Sequence, residues 1–117
     1  MKAFALALAI FAASASAQTV KGSGGSTWTM LPTSLRGYTN VNGARQFDAL
    51  FATTKPVGRI RLAVTGCSNV QGEIAQVDIS GTATAEVLQW SVDGDPVYDL
   101  LALQICAAAR ANPGTGV

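Results

Sequence analysis

Apolar residues near the C-terminus follow the spacing of a helix. One face of the segment from Asp95 to Arg110 carries residues three and four positions apart: Val97, Leu100, Leu101, Gln104, Ile105 and Ala108. Asp95 is a suitable N-cap, and Pro96 fits the first helical position because an N–H there would have no partner. The pattern therefore predicts a helix with this face buried.

Alternating apolar and polar positions mark three segments upstream: Gly58–Gly66, Glu73–Ser80 and Thr84–Val92. Alternation is typical of strands with one buried face, and the short connections between the segments favour an antiparallel meander. A register that places Leu62 opposite Val77 also places Arg61 opposite Asp78, so one pairing satisfies both faces of the sheet.

The segment from Asn42 to Ala52 supports two interpretations. Its apolar positions recur at three and four residues, Asn42 is a suitable N-cap, and Pro56 prevents continuation. The competing interpretation takes Asn42-Gly43 as a two-residue hairpin turn. We favour the helix because the spacing after Gly43 is helical.

These elements predict an α+β fold: one small domain in which a three-stranded antiparallel meander is packed by two helices. Ser26 to Met30 alternates and adds a short edge strand, with Trp28 and Met30 on one side, whereas Pro32 to Asn40 is predicted as a loop. The alternative is a sandwich of roughly six to eight strands, which requires the helix predictions to be wrong.

The first 17 residues have the three parts of a secretory signal peptide. Lys2 supplies the positive start, residues 3–13 form an apolar stretch, and Ala15-Ser16-Ala17 is a small-residue cleavage site. That stretch is too short to span a bilayer, and no later segment is apolar enough to do so. We therefore expect a mature chain that begins at Gln18 and is exported, to the periplasm or out of the cell. The leader type and the absence of an N-x-[ST] sequon favour a bacterial source.

The predicted mature chain divides into three parts. Residues 18–25 form a flexible segment rich in glycine and serine, residues 26–110 the folded domain, and residues 111–117 a loose tail. One disulfide is expected within the domain, because Cys67 and Cys106 are the only cysteines and the chain is exported. The alternative is a pair of buried free thiols.

Charge is distributed unevenly along the chain. Between residues 18 and 66, Asp48 is the single acid among six basic residues: Lys21, Arg36, Arg45, Lys55, Arg59 and Arg61. Residues 67–109 contain acids and no base. Nucleic-acid-binding domains carry a net basic charge with clustered Lys and Arg, so a mature chain whose charges balance is not expected to bind nucleic acid.

The residue types also restrict the chemistry. No histidine is present in the chain, which excludes Ser-His-Asp and Cys-His nucleophile systems and nearly all zinc sites. No G-x-S-x-G, P-loop or dinucleotide motif occurs. We therefore expect neither catalysis nor a metal or cofactor.

One acidic cluster, Asp93, Asp95 and Asp99, invites a functional interpretation. Hard cations prefer clustered carboxylates, but the spacing does not fit an EF-hand, which needs a terminal acid where this chain has Gln104. The structural interpretation makes Asp93 part of a turn and Asp95 the helix cap. It places Asp99 on the outer side of the helix.

Two functional hypotheses follow. The first is a non-catalytic exported protein that acts through contact with a protein or cell-surface partner. Trp28, Tyr38, Arg59 and Arg61 are its candidate contacts, because Trp, Tyr and Arg are enriched at binding hot spots. The second is a carbohydrate-binding or hydrolytic module that uses Asp93, Asp95 and Asp99. A deep pocket that carries these three acids would favour the second.

Overall fold

The computed structural model describes residues 19–92 and 97–111, which form seven strands and one helix. The strands are β1 (Thr19–Lys21), β2 (Thr27–Met30), β3 (Arg36–Thr39), β4 (Arg45–Thr53), β5 (Gly58–Thr65), β6 (Gln71–Gln76) and β7 (Leu88–Ser91). The helix, α1, spans Val97–Ala111. The fold is therefore mostly β, and the predicted α+β meander with two helices is wrong.

All seven strands belong to one antiparallel sheet that curls into a half-barrel. The order is β1-β2-β4-β5-β6-β7, and β3 also pairs with β4. β4 organises the sheet, because it pairs with β5 along its length and with β3 and β2 in turn on its other edge. α1 packs across one face of the sheet, against β1, β4, β5 and β7.

The segment predicted as the first helix is β4, and the competing hairpin interpretation is correct except for its length, because the connection covers residues 40–44 rather than two residues. The Asn40 carboxamide oxygen accepts hydrogen bonds from the backbone N–H groups of Asn42 (2.9 Å) and Ala44 (3.0 Å). These bonds fix the turn between β3 and β4. Residues of both faces of β4 are buried, so its apolar residues do not alternate, and periodicity alone cannot separate such a strand from a helix.

The C-terminal helix is confirmed over Val97–Ala111, while its predicted start at Asp95 and Pro96 lies outside the described residues. Its orientation differs from the prediction. Leu100 is 45% exposed, and Asp99, predicted on the outer side, is only 5% exposed. The buried face carries Asp99, Leu101, Ala102, Gln104, Ile105, Cys106, Ala108 and Ala109.

The predicted pairing of β5 with β6 is wrong by one residue. Leu62 lies opposite Gln76 rather than Val77. The two strands approach closely at Gly72, where a Cβ would lie 2.0 Å from the carbonyl oxygen of Thr65. Trp90 Nε1, on β7, donates to that same oxygen (3.0 Å) and so links β7 to β5. Leu62 is nevertheless buried, as predicted.

The N-terminal region forms more strands than were predicted. Thr19–Lys21, in the segment predicted to be flexible, forms β1 and pairs with β2. The predicted strand of Trp28 and Met30 is confirmed as β2, and the predicted loop contains β3.

The signal peptide lies outside the described residues, as does the tail from residue 112 onward. Within 19–92 and 97–111, no helix is long and apolar enough to cross a membrane.

The predicted disulfide is present between Cys67 and Cys106, with a Cα–Cα distance of 5.2 Å. Cys67 follows the end of β5, and Cys106 lies on the buried face of α1. Arg110 Nη2 lies 3.5 Å from the carbonyl oxygen of Cys67 and adds a polar contact beside the bond. The disulfide therefore ties the helix to the sheet that it covers.

Candidate functional site

The sheet face opposite α1, which we call the outer face, carries most of the polar chemistry. Strand register places the following side chains on it: Arg36, Tyr38, Gln46, Asp48, Arg61, Ala63, Thr65, Glu73 and Ala75. Arg36 lies directly opposite Asp48, and Tyr38 directly opposite Gln46. This side of the sheet therefore brings charged and hydrogen-bonding groups from β3, β4, β5 and β6 together.

A fully buried carboxylate lies at the centre of this face. Asp48 Oδ1 accepts hydrogen bonds from Arg36 Nε (2.8 Å) and Arg61 Nη1 (3.0 Å), and Oδ2 accepts one from the Tyr38 hydroxyl (2.7 Å). The Asp48 side chain is 0% exposed, whereas those of Arg36 and Arg61 are 38% and 13% exposed. A buried charge of this kind is tolerated only when it is paired and hydrogen-bonded. We call these four residues the Asp48 cluster.

Two members of the Asp48 cluster, Tyr38 and Arg36, have raised pKa values. Burial raises the pKa of Tyr38 above its usual value of 10.0, and the hydrogen bond to Asp48 raises it further. The hydrogen bond to Asp48 likewise raises the pKa of Arg36. Tyr38 is therefore neutral near pH 7 and donates its proton to Asp48, which makes it an unsuitable general base. The cluster is suited to holding β3, β4 and β5 in place.

The segment from Val77 to Val87, here the 77–87 loop, folds back against the outer face. Val77 pairs with Ala83, and Arg36 Nη2 donates to the carbonyl oxygen of Ile79. Gly81 rests on Tyr38: its φ is +88°, and a Cβ there would lie 2.6 Å from the Tyr38 hydroxyl oxygen. Only glycine permits this approach at such a φ. The loop is therefore seated on the Asp48 cluster.

A cleft of about 370 Å³ lies between the 77–87 loop and the turn that joins β3 to β4. We call it the outer cleft. Its apolar lining consists of Val41, Ala63, Ile74, Ala75, Val77, Ala83 and Val87. Tyr38, Asn40, Gln46, Thr65, Glu73, Ser80 and Thr82 supply polar groups. A mostly apolar concavity with a few placed polar groups, at the lower end of the usual size range, is typical of a binding site.

The four candidate partner contacts are divided between the two sides of the sheet. Tyr38 and Arg61 both belong to the Asp48 cluster, Tyr38 also lines the outer cleft, and Arg59 is exposed on the outer face. Trp28 lies on the other side of the sheet, where its ring contacts those of Phe51 (centroids 6.3 Å apart) and Tyr98 (6.4 Å). Arg61 was predicted to pair with Asp78, but its partner is Asp48.

The acidic cluster of the second hypothesis is not part of the outer cleft as far as the structure describes it. Asp93 and Asp95 lie outside the described residues, and Asp99 is buried on α1. Trp90, the tryptophan nearest to these acids in the sequence, is also buried. Among the residues described, no group of three or more His, Cys, Asp or Glu side chains is placed to hold a metal ion.

Several residues of the site were not predicted from the sequence: Gln46, Asp48, Glu73 and Gly81. Asp48 did carry a signal, because a single acid among six bases is well placed to pair with more than one of them. Gln46 and Gly81 carried none, because their roles depend on contacts between segments far apart in the sequence. Gln46 Nε2, for example, lies 3.5 Å from the carbonyl oxygen of Gly81.

Asp78 offers a test of how the 77–87 loop is held. Its Oδ1 accepts hydrogen bonds from the Ser80 hydroxyl (2.6 Å), the Ser80 N–H (2.9 Å) and the Thr82 N–H (3.1 Å). The Ser80 hydroxyl and then the Thr82 N–H lower the pKa of Asp78 below its usual 3.8. A lowered folded-state pKa contributes stability above the unfolded value and loses it as the pH falls through the folded value.

We therefore expect the amide resonances of Ser80 and Thr82 to titrate with a midpoint below 3.8. A two-dimensional ¹H–¹⁵N NMR titration measures this. Asp78→Asn, which cannot titrate, is the control and should remove the transition. A midpoint above 3.8 would show that the carboxylate is not held by these donors.

The sequence matches no protein-family model, and neither the curated proteins nor the solved structures contain a significant match. Conclusions about function therefore depend on the geometry of this chain alone.

Proposed function

We propose that this protein is an exported, non-catalytic binding protein that contacts a protein partner, in the periplasm or on a cell surface, through the outer cleft. The cleft itself is the observation that carries the proposal: about 370 Å³, lined by small apolar side chains and bordered by two turns. A disulfide is compatible with an oxidising compartment outside the cytoplasm.

Binding is favoured over catalysis by the state of the polar groups. The Tyr38 hydroxyl donates to Asp48 (2.7 Å) and accepts from Gln46 Nε2 (2.9 Å). Tyr38 and Gln46 therefore form part of a fixed floor of the outer cleft, and Asp48 is fully buried beneath this floor. A fixed floor suits binding, because a preorganised site loses less conformational entropy when a partner docks.

The carbohydrate-binding or hydrolytic alternative is less well supported. It requires Asp93, Asp95 and Asp99 to converge on a pocket, and Asp99 is buried on α1, away from the outer cleft. A second cavity, of about 70 Å³, is lined by Trp28 and Tyr98 and does not include Asp99.

Filling the outer cleft tests the proposal. Ala83 lines the cleft and is exposed, so we expect Ala83→Phe to occupy the cleft while the fold is retained. The matched control is Ala107→Phe, which adds the same ring at an exposed position of α1. Both variants should keep the circular dichroism spectrum of the wild type.

The measurement is quantitative mass spectrometry of proteins captured from the envelope fraction and culture medium of the source cells. We expect a partner that wild type and Ala107→Phe retain equally and that Ala83→Phe loses by about tenfold or more. Equal retention by all three proteins would exclude the outer cleft as the contact site. Absence of any partner that depends on the folded protein would reject the binding function.

A further inference from the structure

The hydrogen-bond donors around the outer cleft are largely used within the protein. Tyr38 donates to Asp48, and Gln46 Nε2 donates to the Tyr38 oxygen. The Ser80 hydroxyl hydrogen-bonds to Asp78 Oδ1 (2.6 Å) and also lies 3.0 Å from Thr82 Oγ1. The donors of Tyr38, Gln46 and Ser80 are therefore already engaged before an occupant enters the cleft.

Among the residues that the structure describes, Glu73 is the single charged one that lines the outer cleft. It is exposed on β6, and its backbone N–H donates to the hydroxyl of Thr65 (3.2 Å). Both ion pairs seen among the described residues involve Asp48, so neither neutralises Glu73. Of the nearby cations, Arg36 and Arg61 direct their donors at Asp48 and, from Arg36, at the carbonyl oxygen of Ile79. The cleft is therefore complementary to a positive charge.

The borders of the cleft extend its apolar surface beyond the volume of a small molecule. Val41, at the tip of the turn between β3 and β4, is 100% exposed, and Ile79, at the tip of the 77–87 loop, is 71% exposed. Val87 lines the cleft and is also exposed. Exposed apolar residues grouped around a concavity are characteristic of protein–protein contacts. A small amine held in the cleft would leave the two turn tips in water.

We infer that the outer cleft binds a segment of a partner protein in which an apolar residue stands next to a lysine or arginine. The apolar side chain packs on the alanine and valine lining, and the basic group pairs with Glu73. Val41 and Ile79 contact the flanking residues of the segment. This inference depends on the proposed function, because it names the chemistry of the partner at the same site.

Short peptides provide the test. The probes are acetylated, amidated peptides of sequence Gly-Leu-Xaa-Leu-Gly in which Xaa is Lys, Gln or Glu, together with n-hexylamine. Binding to the ¹⁵N-labelled protein is followed by NMR at the amides of Ala75, Gly81 and Ala83, which line the cleft. We expect the Lys peptide to bind about fivefold more tightly than the Gln peptide, and the Glu peptide to bind most weakly.

Two variants assign this preference to residues. Glu73→Gln should abolish the difference between the Lys and Gln peptides, whereas Glu86→Gln, an exposed acid that does not line the cleft, should preserve it. The double variant Val41→Ser, Ile79→Ser should weaken the Lys peptide but leave n-hexylamine unchanged. The inference is overturned if the Lys and Glu peptides bind equally, if Glu73→Gln changes nothing, or if no probe shifts the cleft resonances. Equal affinity of n-hexylamine and the Lys peptide would assign the site to a small amine instead.

Failure of this inference can be distinguished from failure of the proposed function. If Ala83→Phe loses the native partner while the peptides show no charge preference, the cleft is the contact site and the basic–apolar chemistry is wrong. If Ala83→Phe retains the native partner and no peptide binds, both proposals are wrong.

Discussion

Asp48→Asn is expected to lower the free energy of unfolding by about 3–5 kcal/mol, because it removes one partner of a buried ionic cluster and leaves the others without compensation. Arg61 is only 13% exposed and would keep its charge with no carboxylate beside it. Asparagine has nearly the same shape as aspartate, so packing is conserved and the loss reports on charge. Urea unfolding followed by circular dichroism measures the change.

A matched control and a rescue make this prediction specific. Asp78→Asn removes an exposed carboxylate that holds only its own turn, and we expect the urea midpoint to move little. Combining Asp48→Asn with Arg61→Leu removes the uncompensated cation and should recover part of the lost stability. Equal midpoints for Asp48→Asn and Asp78→Asn would show that the Asp48 cluster does not stabilise the fold.

The sequence was sufficient to predict the elements that have a clear local pattern of apolar residues. β5 and the C-terminal helix were predicted close to their observed bounds, because alternation in one and helical spacing in the other reflect one buried face. β4 was mistaken for a helix, since residues of both its faces are buried and its apolar residues lie three and four positions apart by coincidence. With β4 assigned wrongly, two of its three partners, β2 and β3, had no strand to pair with, and the number of strands in the sheet was underestimated.

The site was less predictable than the fold for a related reason. Strand register brings Arg36, Asp48 and Arg61 together from β3, β4 and β5, and this register was not predicted because β4 was assigned to a helix. Asp48 lies on β4, which was predicted as a helix, so Asp78 was predicted as the partner of Arg61 instead. Only the isolation of Asp48 among basic residues pointed to its role.

Burial of Asp48 and formation of the outer cleft are linked. Tyr38 is held by Asp48 on one side and supports Gly81 on the other, so the 77–87 loop is seated on the Asp48 cluster. The ion pairs therefore fix the wall of the cleft as well as three strands of the sheet. This explains why a polar cluster stands where apolar packing would otherwise suffice.

Loss of the disulfide should have the other large effect on stability. Cys67 and Cys106 are 39 residues apart, and in the chain-entropy model a loop of that length contributes about 4 kcal/mol by restricting the unfolded chain. We therefore expect the double variant Cys67→Ala, Cys106→Ala to melt roughly 15–30 °C below the wild type, since each kcal/mol corresponds to several degrees in a domain of this size. Differential scanning calorimetry measures the shift, and alanine avoids burying a new polar group at Cys106, which has no exposed surface.

Burial of the disulfide leads to a second expectation, which concerns the rate of its reduction. Because Cys106 is 0% exposed and Cys67 is 9% exposed, a reductant has little access to the sulfur atoms while α1 packs on the sheet. Wild-type protein incubated with a phosphine reductant at 25 °C should therefore lose its disulfide slowly, and much faster in urea near the unfolding midpoint. The control is Ala107→Phe, a substitution on the exposed side of the same helix that leaves both cysteines intact. It should keep the wild-type melting temperature. A double alanine variant that melts with the wild type, or a disulfide reduced at the same rate with and without urea, would show that the bond does not hold α1 to the sheet.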